Sequence, residues 1–175
     1  PAMYPSAHAI RDNNPQDMKV FVRGNPARQG EIAPRQFLRI LSSQERTPYS
    51  QGSGRRQLAD DIASNSNPLT ARVMVNRVWQ QHFGTGLVDS PSDFGANGGR
   101  PSHPELLDWL ASEFVRRKWS LKELQRLLVT SATYRQNWQA TPELAARAHS
   151  IDADNRLLWR FPARVLEAEA VRDSM

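Results

Sequence analysis

Hydrophobic side chains recur at helical spacing through most of the chain after residue 54, and capping residues divide this pattern into separate helices. The stretch NPLTARVMVNRVWQQHF, residues 67–83, opens with an asparagine–proline pair and is followed by Gly84, which is typical of a capped helix with a glycine stop. Two further helices, 102–117 and 120–134, are predicted by a serine followed three residues later by a glutamate, a capping box, and by an apolar stripe. These three segments are the main elements that the sequence predicts.

Shorter helices are predicted on either side of them. Leu58 and Ile62 stand four residues apart in RRQLADDIAS, and Thr141 precedes a proline that opens a second short helix. A last helix is predicted from Pro162, in PARVLEAEAVRDSM, and its helical period continues to the final residue without a stop signal. This pattern predicts a domain that is truncated within a helix and that self-associates through apolar residues such as Leu166 and Val171.

The first 54 residues have a different character. Prolines interrupt them, KVFVRG is a strand-like run, PRQFLRILS forms a short amphipathic turn, and TPYSQGSGRRQ is a polar linker. The predicted organisation is therefore an extended leader and linker with a short helix over residues 1–54, followed by a helical domain over residues 55–175. The predicted fold class is mainly α, an irregular helical array or bundle.

The amino-acid composition excludes several kinds of site within this chain. The chain has 175 residues, of which 39% are hydrophobic, and no cysteine. The lack of cysteine excludes disulfides, zinc–thiolate sites, haem c attachment and a cysteine nucleophile within this chain, so no cofactor is expected in it. No apolar run is long enough for a membrane span, and the first residues do not form a signal peptide.

The chain is basic, with a net charge of +5, and all of its 23 basic residues except Lys19, Lys118 and Lys122 are arginine. Clustered cations would favour nucleic acid as a partner, because they neutralise phosphates. Here the arginines are scattered and alternate with acids, as in RVLEAEAVRD, which disfavours nucleic acid. A basic binding module for nucleic acid or glycan, with aromatic stacking from segments such as TYRQNW, stays open as an alternative.

The helix at 67–83 contains the candidate binding residues Arg72, Asn76, Arg77 and Trp79. Because this helix is apolar around much of its circumference, we favour a structural interpretation of them. Asn76 is then buried and bonded to the backbone of an adjacent loop, and Trp79 stacks on Phe83 four residues later. The two arginines then pair with carboxylates such as Asp60, Asp61, Asp89 or Asp93, and Arg72, like Asn76, is expected to be largely buried.

The candidate catalytic residues are His82, Asp93 and His103. If the loop after Gly84 folds back, these residues and Asp89 come together, which would suit a metal-assisted or acid/base hydrolase. No closely spaced ligand set accompanies His82, so no metal site is assigned, and a lone histidine beside an aromatic residue is more often a packing residue. Neither a nucleophile elbow nor a phosphate-binding loop is present, and NRLLWRFP is interpreted as a connector buried across the helices.

Several of these segments, in order, resemble one known family. The segments NPLTARVMVNRVWQQHFGTGLVDSPSDFG, PSHPELLDWLASEF, KWSLKELQRLLVTSATYRQ and LLWRFPARVLEAEAVRD are similar to the C-terminal domain of unknown function of planctomycete-type cytochrome c-like proteins, the PSD domain family. The resemblance implies an extracytoplasmic parent protein with a haem c region elsewhere, and it supplies no catalytic residues. We therefore expect a non-catalytic helical module whose partners are other domains of such a parent.

Overall fold

The computed structural model describes residues 9–42, 45–163 and 165–175, and within these residues the protein is mainly helical, as predicted. They contain seven α-helices, α1 Arg55–Ile62, α2 Pro68–Phe83, α3 Pro104–Arg116, α4 Leu121–Val129, α5 Ala132–Arg135, α6 Pro142–Ile151 and α7 Ala168–Ser174. Two strands, β1 Met18–Phe21 and β2 Gln29–Ala33, and two short 3-10 helices, Val22–Gly24 and Arg39–Leu41, precede them. None of the helices in the described parts has the length and apolar character that crossing a membrane requires.

The chain forms two compact units, a first one that ends at Pro68 and a second one over Leu69–Met175. In the first unit β1 and β2 pair antiparallel, with Met18 opposite Ala33 and Phe21 opposite Gln29. The strand predicted at KVFVRG is confirmed, and every residue of both strands is exposed. The domain boundary predicted between residues 54 and 55 stays a prediction.

The predicted helix α1 is confirmed, and the partly buried Tyr49 contacts it. Gly54 precedes α1 with a left-handed backbone, φ +80°, which favours glycine. The Tyr49 hydroxyl donates to Asp61 Oδ2 of α1 at 2.6 Å. Partial burial and this carboxylate raise the pKa of Tyr49 to about 12.

The core of the second unit lies among α2, α3, α4 and the segment that follows α2. Apolar residues at helical spacing on these three helices point inward, which is why the sequence folds them against one another. The buried apolar side chains include Val75, Phe83, Leu87, Leu110, Phe114, Leu124 and Leu128. Leu87 and Val88, in the loop after α2, are as buried as the helical residues, at 1% and 2% exposure.

The capping box predicted at Ser102 and Glu105 is wrong. α3 begins at Pro104, its N-cap is His103, and no side chain caps it. Ser102 instead contacts the loop after α2, because its backbone N–H donates to the Leu87 carbonyl at 2.8 Å. At Ser120 the predicted cap is confirmed, since the Glu123 N–H donates to the Ser120 hydroxyl at 3.4 Å.

The helix predicted over 120–134 is interrupted. α4 ends at Val129, and α5 begins only at Ala132. The Thr130 hydroxyl donates to the Arg126 carbonyl at 2.8 Å, and the Ser131 hydroxyl donates to the Leu128 carbonyl at 2.6 Å. Hydroxyl side chains that bond nearby carbonyls compete with the helix, and Ser131 then caps α5 by accepting from the Tyr134 N–H.

The last helix also differs from the prediction. α7 begins at Ala168, and the residue before it has an extended backbone, whereas the helix was predicted from Pro162; Arg164, in between, lies outside the described residues. Val165 and Leu166 are 95% and 64% exposed. Short helices form mainly when a packed face supports them, and these two described residues are exposed rather than packed. The helix predicted at Thr141 is confirmed as α6, with a Thr141 side-chain cap.

Candidate functional site

The candidate residues of the sequence lie on α2 and on the loop that connects it to α3. Asn76, the most buried of them, has no exposed surface. Its Nδ2 donates to the Val88 carbonyl at 2.9 Å, and its Oδ1 accepts from the Val88 N–H at 2.8 Å. The amide therefore satisfies both backbone groups of one buried loop residue, and the predicted burial of Asn76 and its contact with an adjacent loop are confirmed.

Gly86 makes room for this contact. A Cβ atom at residue 86 would lie 2.5 Å from the Val88 carbonyl oxygen and 2.7 Å from Asn76 Nδ2, closer than real side chains approach. The loop can therefore press against α2 only because glycine stands at this position. The sequence reasoning did not single out Gly86, although a glycine two residues before a buried valine is a signal of close backbone approach.

The two candidate arginines have different surroundings. Arg72 Nε donates to Asp108 Oδ1 on α3 at 2.6 Å, and about a third of the Arg72 side chain is exposed. The expectation that Arg72 pairs with a carboxylate is confirmed, but the partner is on α3 rather than among the four aspartates nearest in sequence, and Arg72 is only half-buried. Arg77 is exposed and forms no ion pair with another described residue.

The aromatic candidate Trp79 belongs to the core. It is 6% exposed and stacks on Phe83, with 4.1 Å between the ring centroids and 26° between the planes. This confirms the predicted stacking of residues four apart. A side chain so buried holds α2 against the core and presents no aromatic face to solvent.

The three candidate catalytic residues each have a separate local partner. His82 Nδ1 lies 2.8 Å from the Val78 carbonyl, one helical turn earlier, and because a carbonyl only accepts, Nδ1 carries the hydrogen. His103 Nδ1 lies 2.9 Å from the Ser102 hydroxyl. Asp93, exposed in the loop, accepts from the Gly95 N–H at 2.8 Å. Whether any of the three acts in catalysis stays a hypothesis.

The loop between α2 and α3 is held by polar contacts. The Ser90 hydroxyl donates to the Asp93 carbonyl at 2.7 Å and accepts from the Gly99 N–H at 2.8 Å. Asp89 pairs with Arg156 Nη1 at 2.7 Å, far along the chain. Among the residues that the structure describes, no three histidine, aspartate or glutamate side chains come close enough together to hold a metal ion.

A second feature of this unit is a groove beside α5 and the last segment. Its volume is about 780 Å³, and its lining includes Tyr134, Trp138, Phe161, Val165 and Leu166. Trp138 is 53% exposed. The groove is thus an apolar surface open to solvent, and it contains none of the candidate catalytic residues.

The family model PSD1, described as a protein of unknown function (DUF1553), matches residues 54–175. Neither the comparison with curated proteins nor the comparison with solved structures found a match.

Proposed function

This chain belongs to the PSD1 family of unknown function, and from that premise we propose that it is a non-catalytic helical module of a larger, extracytoplasmic, cytochrome c-associated protein. One observation carries the non-catalytic part of the proposal. Three of the polar residues that the sequence nominates for binding or catalysis form internal contacts, Asn76 with Val88, Arg72 with Asp108 and His82 Nδ1 with Val78. Asn76, whose donor and acceptor are both used inside the core, is not free to bind a substrate, and the contacts of Arg72 and His82 support a structural role for these residues as well.

The role of the module is to pack against another domain of its parent protein. The groove lined by Trp138, Val165 and Leu166 supports this role, because exposed apolar surface of that kind is typical of interaction sites. The partner is the haem-bearing region of the same parent, as the family resemblance implies, and haem c is then carried by that region. The extracytoplasmic location follows from the same resemblance.

To test this proposal, this chain and the haem-bearing region of the parent protein are expressed separately, and the amount of the haem-bearing region that the chain captures is measured. We expect the wild-type chain and the His82→Ala variant to capture it equally. Leu166→Asp places a charge in the groove and should weaken capture about tenfold or more, because burying an unpaired charge is costly. Leu144→Asp is the matched control, since Leu144 is 53% exposed on α6 and does not line the groove.

Two results would contradict the proposal. Stoichiometric Zn²⁺ binding by the wild-type chain, lost in both His82→Ala and His103→Ala, would favour the metal-assisted hydrolase instead. Oligonucleotide binding that falls steeply as salt increases would favour the basic binding module.

A further inference from the structure

The groove of the second unit has a single charged side chain among the described residues that line it, Glu167. Glu167 is exposed, and its carboxylate forms no ion pair with another described residue. Its side chain also does not cap α7, although Glu167 directly precedes that helix. Because no contact among the described residues uses this carboxylate, it gives a largely apolar surface one negative charge that is available to a partner.

Aromatic side chains form a wall of the groove that is anchored to the core. The rings of Tyr134 and Phe161 meet edge to face, with 5.2 Å between their centroids. Both rings also contact the buried Phe83, at centroid distances of 5.8 and 6.3 Å. The Phe161 N–H donates to the Asn137 carbonyl at 3.1 Å, which ties the segment after α6 to the residues after α5. A wall that is formed before a partner arrives loses little conformational freedom on binding.

Trp138 adds an accessible indole ring to this aromatic wall. It lines the groove and is exposed, whereas Trp79 of the same unit is buried in the core. Tryptophan is enriched among the residues that contribute most to interface energies, and the face of an indole ring attracts cations. Trp138 and Glu167 therefore favour the same kind of partner group, a cation carried on an apolar stem.

The volume of the groove limits which part of a partner can enter it. At about 780 Å³ it lies within the range of roughly 300–1,000 Å³ that is typical of pockets for drug-sized molecules. This is room for a few side chains of one short segment. Lysine and arginine are the side chains that combine an apolar stem with a positive charge.

We infer that the groove accepts a short segment of the partner domain in which an apolar side chain stands next to a lysine or an arginine. The apolar side chain packs against the aromatic wall, and the cation pairs with Glu167. An acidic segment is disfavoured, because Glu167 repels it. This inference rests on the proposed function, since it specifies the chemistry of the surface by which the haem-bearing region is bound.

The test is the capture of the haem-bearing region by two charge-reversed variants of this chain. Glu167→Lys should weaken capture about fivefold or more, because repulsion replaces attraction. Glu169→Lys makes the same change at an exposed position in the first turn of α7 that does not line the groove, and it should leave capture unchanged. Both variants place a lysine at the start of the same helix, so their effects on the helix dipole are similar.

Ionic strength separates a charge effect from a change of shape. Because Glu167 is exposed, its charge is screened by salt, and the difference in capture between the two variants should become smaller as the salt concentration rises. Glu167→Gln removes the charge without reversing it and should weaken capture less than Glu167→Lys. A difference between the Glu167→Lys and Glu169→Lys variants that salt does not reduce would contradict the pairing of a cation with Glu167.

The outcomes distinguish this inference from the proposed function. If the wild-type chain captures the haem-bearing region and both lysine variants capture it equally, the proposed function is supported and this inference is overturned. Tighter capture by Glu167→Lys would also overturn it, since the segment would then be acidic. If Glu167→Lys turns self-associated chains into monomers and leaves capture unchanged, the groove holds a second copy of this chain instead. A wild-type chain that captures nothing would overturn the proposed function and this inference together.

Discussion

At the scale of single residues, the second unit depends on a side chain that acts in place of backbone. Asn76 presents one donor and one acceptor to Val88, the same pair of groups that a neighbouring strand would present. Both residues are buried, so water cannot replace either hydrogen bond. The buried Asn76 of α2 is thus explained by the loop that it holds.

Replacing Asn76 with alanine should lower the free energy of unfolding by roughly 1–3 kcal/mol, because the buried N–H and carbonyl of Val88 lose their partners. Chemical denaturation measures the difference. Asn97→Ala, in the exposed part of the same loop, is the control and should stay within about 0.5 kcal/mol of wild type. An Asn76→Ala variant that unfolds like wild type but loses a ligand would favour the binding-site interpretation instead.

At this scale the sequence predicted some partners and missed others. The burial of Asn76 and the stacking of Trp79 on Phe83 follow from helical spacing on an apolar helix, which is local information. The pairing of Arg72 with Asp108 and the pairing of Arg156 with Asp89 depend on which helices and segments meet in space. Spacing along the chain does not specify that, and the interpretation of NRLLWRFP as a connector buried across the helices is wrong, since Leu157 is 57% exposed.

At the scale of elements, α3 and α4 are joined by an ion-pair network at the end of α3. Glu113 accepts from Arg116 Nε at 2.7 Å and from Arg117 Nε at 2.6 Å, and Arg117 also reaches Glu123 of α4 at 3.0 Å. The hydrogen bonds from Arg116 and then Arg117 lower the pKa of Glu113 from 4.5 to about 2. The carboxylate form is therefore favoured in the folded protein.

This network predicts an acid-dependent loss of stability. A carboxylate with a lowered pKa stabilises the fold above its unfolded value of 4.5, and this contribution disappears as the pH falls to about 2. The difference in unfolding midpoint between wild type and Glu113→Gln should be largest above pH 4.5 and vanish near pH 2. Glu105→Gln, exposed at the start of α3, should show no such trend. A difference that is constant from pH 2 to 6 would contradict the role of Glu113.

The residues at which the helices begin and end were less predictable from the sequence than the existence of the helices. Each main helix lies where the helical spacing of apolar residues predicts it, because that spacing places the apolar side chains on one face, which is then buried. The errors at Ser102 and at Thr130–Ser131 arise from hydroxyl side chains. Such a side chain can cap a helix, interrupt it by bonding a nearby carbonyl, or bond a distant carbonyl, and these alternatives have similar energies. Tertiary contacts, such as the one between Ser102 and Leu87, decide among these options.

At the scale of the whole molecule, apolar side chains near the end of the chain are uncovered. Val165 and Met175 are 95% and 96% exposed, and Leu166 is 64% exposed. Single exposed apolar residues are ordinary, but Val165 and Leu166 line the same groove as Trp138. This surface explains why we expect the chain to associate when no partner domain is present.

Sedimentation velocity at low micromolar concentration should show dimers or larger species for the wild-type chain. Leu166→Asp should shift the distribution toward monomer, because association would bury the added charge. The same substitution at Leu144 should leave the distribution unchanged. A wild-type chain that is strictly monomeric and melts cooperatively would show that the exposed surface does not drive self-association.

The contact between Asn76 and Val88 also determines how fast one amide proton is replaced by solvent deuterium. The Val88 N–H lies outside every helix, yet its acceptor is a side-chain oxygen with no exposed surface, so exchange requires the core itself to open. Its protection should approach that of core amides in α2, while the exposed Ala96 of the same loop exchanges quickly. In Asn76→Ala the exchange rate of the Val88 amide should rise to that of the Ala96 amide. The loop would then exchange as one mobile segment.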